Sequence, residues 1–265
     1  MTGRIPARAA KLAAAFLAAT AVSAVAAGAA GATEVIYNNV ESSPVAPAVV
    51  SASFEAEGKS SFGGLVEFGK TARKNPTVTV VMDSWACETG NWFSYTCHTE
   101  PGARFEVPIT ITISELGPGN TVGATLASGS KVYKIPYRPS ANLQKCTGKK
   151  LGEWFSKGRC WTSKAAKITL PLRVAKLPSQ AIITVAFNTS DYGAMPQRPK
   201  PCNSEEQGCP YDSLNVGVQD GFENPAGTPP SVGGPYPLPD DTFDSGLLES
   251  GWTGFQPLLE VKASL

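Results

Sequence analysis

The chain has 265 residues, 42% of them hydrophobic, with 23 basic side chains against 22 acidic ones and a formal net charge of +1. A balance that close to neutral excludes a polyanion binder by overall charge, so any such role must come from a local segment. The 233 residues from Thr33 onward suffice for one sizeable core or two small ones.

Residues 1–32 read as an export leader. Arg4, Arg8 and Lys11 give a basic start, and the uncharged run "LAAAFLAATAVSAVAAGAAGA" ends in small residues that offer A-x-A cleavage sites, the last at Ala30 to Ala32. Cleavage there makes Thr33 the first mature residue. The competing reading, an uncleaved anchor, is weakened because alanine contributes little to membrane insertion. No later segment approaches the length of a membrane span, so no membrane association is expected after cleavage.

Period-two alternation then recurs along the chain. It is present in "TVTVVMDSW" and is strongest in "RFEVPITITIS", where Phe105, Val107, Ile109, Ile111 and Ile113 share one face. "SKVYKIPY" follows, then "KITLPLRV", with Ile168, Leu170, Leu172 and Val174 on one side, then "AIITVAFN" and "LNVGVQD". Turn signals such as "ARKNP", "GPGN" and "ASGS" separate these runs, and no segment carries a helical stripe. The expected fold is all-β, an antiparallel β-sandwich of immunoglobulin-like form over residues 33–200. Pro108, Pro136 and Pro171 push their strands toward sheet edges or bulges. Residues 201–265 read as an acidic, Pro/Gly-rich extension packed on the sandwich. Within it Pro225 to Pro239 holds six prolines and three glycines, which excludes a central strand, while "LLEVKASL" could return as a last one.

Six cysteines in an exported chain imply three disulfides. Their spacing favours neighbour pairing, Cys87–Cys97, Cys146–Cys160 and Cys202–Cys209, each loop closure contributing roughly 2.5–3 kcal/mol. The couples lack metal-ligand spacing, so no metal or other cofactor is expected. "WACETGNWFSYTCHTEPG" holds the only histidine, His98, which is expected to have no catalytic role, since no G-x-S-x-G elbow supplies a nucleophile. Asp83, Glu88 and Glu100 bracket this loop as conceivable glycosidase carboxylates, and Asp240, Asp241 and Asp244 as conceivable calcium oxygens outside any D-x-D-x-D-G register.

Charge is distributed unevenly. Thr33 to Ser130 carries a net −5, Lys131 to Lys200 a net +12 and Pro201 to Leu265 a net −9. Inside the basic segment, the second cysteine couple holds Trp154 and Phe155 among Lys149, Lys150, Lys157 and Arg159, as the first holds Trp92. Aromatics on stapled loops suit sugar rings, and lysines beside them suit an anionic polymer. The alternative packs the same aromatics inward beneath their disulfides.

The mature start "TEVIYNN", with "FGGLVEFGKTARKNPTVTVVMDSWAC" after it, resembles a group of exported β-rich proteins from actinobacteria that have no assigned function. The resemblance covers about the first third of the mature chain. It implies a secreted β domain and carries no site residues. The expectation is a secreted, non-enzymatic sandwich that binds a cell-wall glycan or anionic polymer, with a surface-protein partner or a carboxylate-dependent glycan enzyme as alternatives. Nucleic acid is not expected, given the acidic flanks.

Overall fold

The alternating runs become strands because each has one face that can be buried and another that tolerates water. A computed structural model describes residues 32–40, 46–52, 61–92, 94–118, 122–187, 214–220, 233–235 and 255–265. The expected leader, apart from Ala32, lies outside the described residues, as do Cys202, Cys209, Asp240, Asp241 and Asp244.

Fourteen strands are described: β1 (Thr33–Asn38), β2 (Ser51–Ala52), β3 (Phe62–Phe68), β4 (Lys74–Ser84), β5 (Arg104–Leu116), β6 (Val122–Pro136), β7 (Trp154–Ser156), β8 (Arg159–Trp161), β9 (Lys164–Pro171), β10 (Gln180–Ala186), β11 (Leu214–Asp220), β12 (Gly233–Pro235), β13 (Phe255–Pro257) and β14 (Leu259–Ser264). All their pairings are antiparallel. No α-helix occurs among the described residues, and none of their helical turns is long and apolar enough to cross a membrane.

β4 is the axis of the first sheet. One of its edges pairs with β9 from Thr77 to Ser84, and the other pairs first with β14 and then with β11. β1 lies beyond β14, while β2 and β13 lie on β11. The second sheet runs β12-β3-β10-β5-β6. Apolar faces of both sheets contribute to one core, including Val78, Val80 and Met82 of β4, Val261 of β14, the five β5 residues from Phe105 to Ile113, and Ile183 and Val185 of β10. Each such side chain contributes roughly 1.5–3 kcal/mol by leaving water.

The division expected at residue 200 is absent from the sheets. β11, β13 and β14 belong to the first sheet and β12 to the second, and Val216 and Val261 sit in the shared core. The C-terminal segment is therefore built into the fold rather than laid on it, because "LLEVKASL" alternates well enough to fill a central strand. Of the proline run, Gly233–Pro235 forms a short strand on β3. Pro171 ends edge strand β9, Pro136 ends edge strand β6, and Pro108 lies in a part of β5 that the register of β10 does not reach.

Candidate functional site formed by two stapled loops

β4 leads directly into the first cysteine loop. Cys87 and Cys97 are bridged, with Cα atoms 5.4 Å apart. Thr89 and His98 exchange backbone hydrogen bonds of 3.0 and 2.9 Å above the bridge. The tip is turned by Asn91, whose Oδ1 accepts from Ser94 N at 2.8 Å and Ser94 Oγ at 2.9 Å. Gly90 has φ +72°, and a Cβ there would meet the Thr96 carbonyl, so only glycine fits.

His98 is exposed. Its Nε2 lies 3.1 Å from Glu100 Oε1 and its Nδ1 lies 3.4 Å from Ser140 Oγ. This line has the composition of a proton relay. The Ser140 hydroxyl is already engaged, however, accepting from Thr99 N at 2.9 Å and donating to Thr99 O at 3.2 Å. The arrangement is a clasp that fastens the loop base to the segment after β6. Glu88 takes part in the same clasp by accepting from Glu100 N at 2.7 Å. Asp83, the third carboxylate singled out in the sequence, is not on that surface. It is fully buried and accepts from Ser51 Oγ at 2.9 Å, Trp85 Nε1 at 3.1 Å and Val49 N at 3.5 Å. Burial raises its pKa to about 6, and those donors oppose the shift. The Ser163 hydroxyl also favours the charged form from nearby, although it falls outside hydrogen-bond geometry.

The second loop is closed by Cys146–Cys160, with Cα atoms 5.8 Å apart. A short 3-10 turn at Gly148–Lys150 leads into the β7–β8 hairpin. Lys157 and Gly158 both have positive φ, 50° and 76°, as a tight hairpin turn of the primed type requires. Trp154 points inward: it is buried, and its indole N–H donates to Ser163 O at 2.8 Å. It therefore supports the hairpin from below rather than offering a ring to a sugar, because burial with a satisfied N–H is the more stable place for indole. Phe155, next in the strand, faces out with Lys145 Nζ 5.5 Å from its ring centre. Trp161 is half-buried beneath the Arg159 guanidinium at 5.5 Å.

Arg138 joins the two loops. It is wholly buried, donates from Nη2 to Gly152 O at 2.6 Å, and lies 4.7 Å from the centre of the half-buried Trp92 ring. Its backbone N–H bonds Ala86 O, and its carbonyl accepts from Thr99 Oγ1. Tyr95 packs on Gly152, where φ is +87° and a Cβ would come 2.5 Å from Tyr95 Cδ1. Ala141 N donates to Cys97 O and Asn142 N to Glu153 O, so the segment after β6 is bonded to both loops. Burial raises the Glu153 pKa, opposed by Lys150 and Arg138 nearby.

The two loops and the segment after β6 are thus tied to one another. On them Tyr95, Leu143 and Phe155 are exposed, as are Lys145, Lys149, Lys150, Lys157 and Arg159. None of these cations forms an ion pair among the described residues. No group of three potential metal ligands occurs among the described residues either. Sequence reasoning singled out Lys149, Lys150, Lys157, Arg159, Phe155 and Trp92, and noted Tyr95 among the aromatics of the first loop. It missed Lys145 and Leu143, and also Arg138 as the joint, for which a lone arginine in "YRPS" gives no signal. No protein-family model matches the chain, and no curated protein or solved structure matches it.

Proposed function

We propose that the chain is a secreted, non-enzymatic protein of immunoglobulin-like sandwich form that binds an anionic polymer of the cell envelope through its paired stapled loops. Export follows from the basic, alanine-rich leader, and the two described disulfides accord with an oxidising compartment. The resemblance of the first third of the mature chain to exported actinobacterial proteins points the same way.

The observation that carries the binding role is the loop face. Five exposed cations, none in an ion pair among the described residues, share these tied loops with exposed Phe155 and Tyr95, on backbone held by two disulfides and buried Arg138. A rigid face loses little conformational entropy on binding, and the cations attract a polyanion from a distance. The mature protein is expected to bind purified anionic cell-wall polymer and heparin at low ionic strength and to release both as salt screens the contacts. Lys149→Glu with Lys150→Glu should weaken that binding at least about thirtyfold, since each of two cations near an anionic surface contributes roughly 1 kcal/mol. Absence of any polyanion binding at low salt would end this reading, and recovery of a stoichiometric protein complex from culture fluid would replace it with a protein-interaction role.

A further inference from the structure

The cations do not stop at the loops. β8 passes into β9 within three residues, and β9 is the outermost strand on its side of the first sheet, paired only with β4. The extended course continues past Pro171: Leu172 N donates to Pro76 O, and Asn75 N donates to Val174 O. Along this run Ile168, Leu170, Leu172 and Val174 are buried, so the alternate positions Lys167, Thr169, Pro171 and Arg173 face solvent. Lys164 lies on the opposite face of the strand, with its Nζ 5.2 Å from the centre of the buried Trp154 ring, while exposed Lys176 follows the end of the run. The gap between Lys167 and Arg173 is served from the other sheet. Tyr133 of β6 donates from its hydroxyl to Thr169 O at 2.8 Å, and exposed Lys131 holds its Nζ 5.3 Å from the Tyr133 ring centre.

Arg159, Lys167, Lys131, Arg173 and Lys176 thus form a row leaving the loop face. From Lys167 to Arg173 the row covers about 20 Å at a strand rise of about 3.3 Å per residue. None of the five has an ion partner among the described residues, where the ion pairs are His98–Glu100, Lys134–Glu106 and Lys262–Glu260.

Charged residues on an edge strand commonly serve only to prevent pairing with another chain. That need is met here by other means. Pro171 lacks an N–H, Ala165 N is taken by Pro47 O, and Thr169 O is taken by Tyr133. The row of cations exceeds what edge protection requires.

We propose that this row is a track for a linear polyanion, so that the ligand spans the loop face and the β9 edge together and is bound in proportion to its length. The inference rests on the polyanion reading above and adds the class of ligand: a flexible chain with an anionic group at each repeat, not a single acidic sugar. Neighbouring contacts on one chain act at high effective concentration, which gives a long ligand its advantage.

The test measures binding of the mature, oxidised protein to long-chain polyphosphate and to tripolyphosphate at equal total phosphate and low salt. Polyglutamate and single-stranded DNA of similar length serve as further arms. The long polyphosphate should bind at least about tenfold tighter per phosphate, polyglutamate should follow it, and the triple change Lys167→Glu, Arg173→Glu, Lys176→Glu should abolish the advantage while leaving tripolyphosphate binding in place. Thermal unfolding checks that the variant is folded, and single Lys167→Glu, which should remove part of the advantage, replaces it if it is not. Equal affinity for both lengths, or a length advantage that survives the triple change in a folded protein, would overturn the track while leaving the loop site intact. Single-stranded DNA bound more tightly than polyphosphate at equal charge would overturn the assignment to a simple polyanion.

Discussion

Replacing Asp83 by asparagine tests the energetics of the first sheet. The folded carboxyl titrates at about 6 against an ordinary value of 3.8, because burial penalises its charge more than its donors restore. Since the folded pKa is the higher one, the folded state binds this proton more tightly than the unfolded state. The stability contributed by the proton is complete below about pH 4 and lost as pH rises through 6. The shift of about two units corresponds to about 3 kcal/mol between those limits. Asparagine cannot ionise, so this dependence should vanish. It also replaces one acceptor oxygen with an N–H₂ group facing either Val49 N or the Ser51 and Trp85 donors, at a cost of about 1 kcal/mol. The variant should therefore be about 1 kcal/mol less stable than the parent at pH 4 and about 2 kcal/mol more stable at pH 7. Urea unfolding followed by tryptophan fluorescence across pH 4–7, with disulfides intact, gives the difference curve directly, and groups common to both proteins cancel. Parallel curves, or a variant that loses ground toward neutral pH, would refute the reasoning.

Two further predictions concern the joint between the loops. Arg138→Ala leaves Gly152 O without its donor and Trp92 without its cation, and should cost about 3 kcal/mol in denaturant unfolding, with faster proteolysis in both cysteine loops. Gly152→Ala must strain a backbone at φ +87° and displace Tyr95, and should lower stability by about 1–3 kcal/mol with a change in Tyr95 signals by NMR.

The strands that could be read in advance were those with one wet face. β5 is buried at every second residue from Phe105 to Ile113, and the chain from β9 to Val174 follows its alternation likewise. β3 lacks such a rhythm because it is covered on both sides: Leu65 packs with Ile182 away from the main core, and Gly63 and Gly64 admit Thr184 and Gln256 at close range. The pairing of β14 with β1 joins residues more than two hundred positions apart, and its pairing with β4 is nearly as distant, so no local pattern encodes either. At the loops, cysteine spacing favoured both described bridges, and composition marked the basic and aromatic residues. Which aromatic turned inward depended on a partner distant from it in kind, the Ser163 carbonyl that receives the Trp154 N–H. The position of Asp83 was equally hidden, since its donors come from β2, from the turn before it and from beyond β4.

The placement of β14 constrains the order in which the molecule can be made. Thr33 registers with Ser264, and β14 also forms the inner neighbour of β4 from Lys74 to Val80. A chain delivered from its N-terminus presents β1 and β4 long before their shared partner is available. The second sheet lacks this delay for β3, β5, β6 and β10, all complete by Ala186. Assembly should accordingly be sequential, with the β3–β10–β5–β6 layer forming while β1 waits and the first sheet closing in a late, slow step dominated by distant pairing. Until that closure, one edge of β4 has an open ladder beside its core residues, and that interval is when the chain is most exposed to aggregation or to a protease.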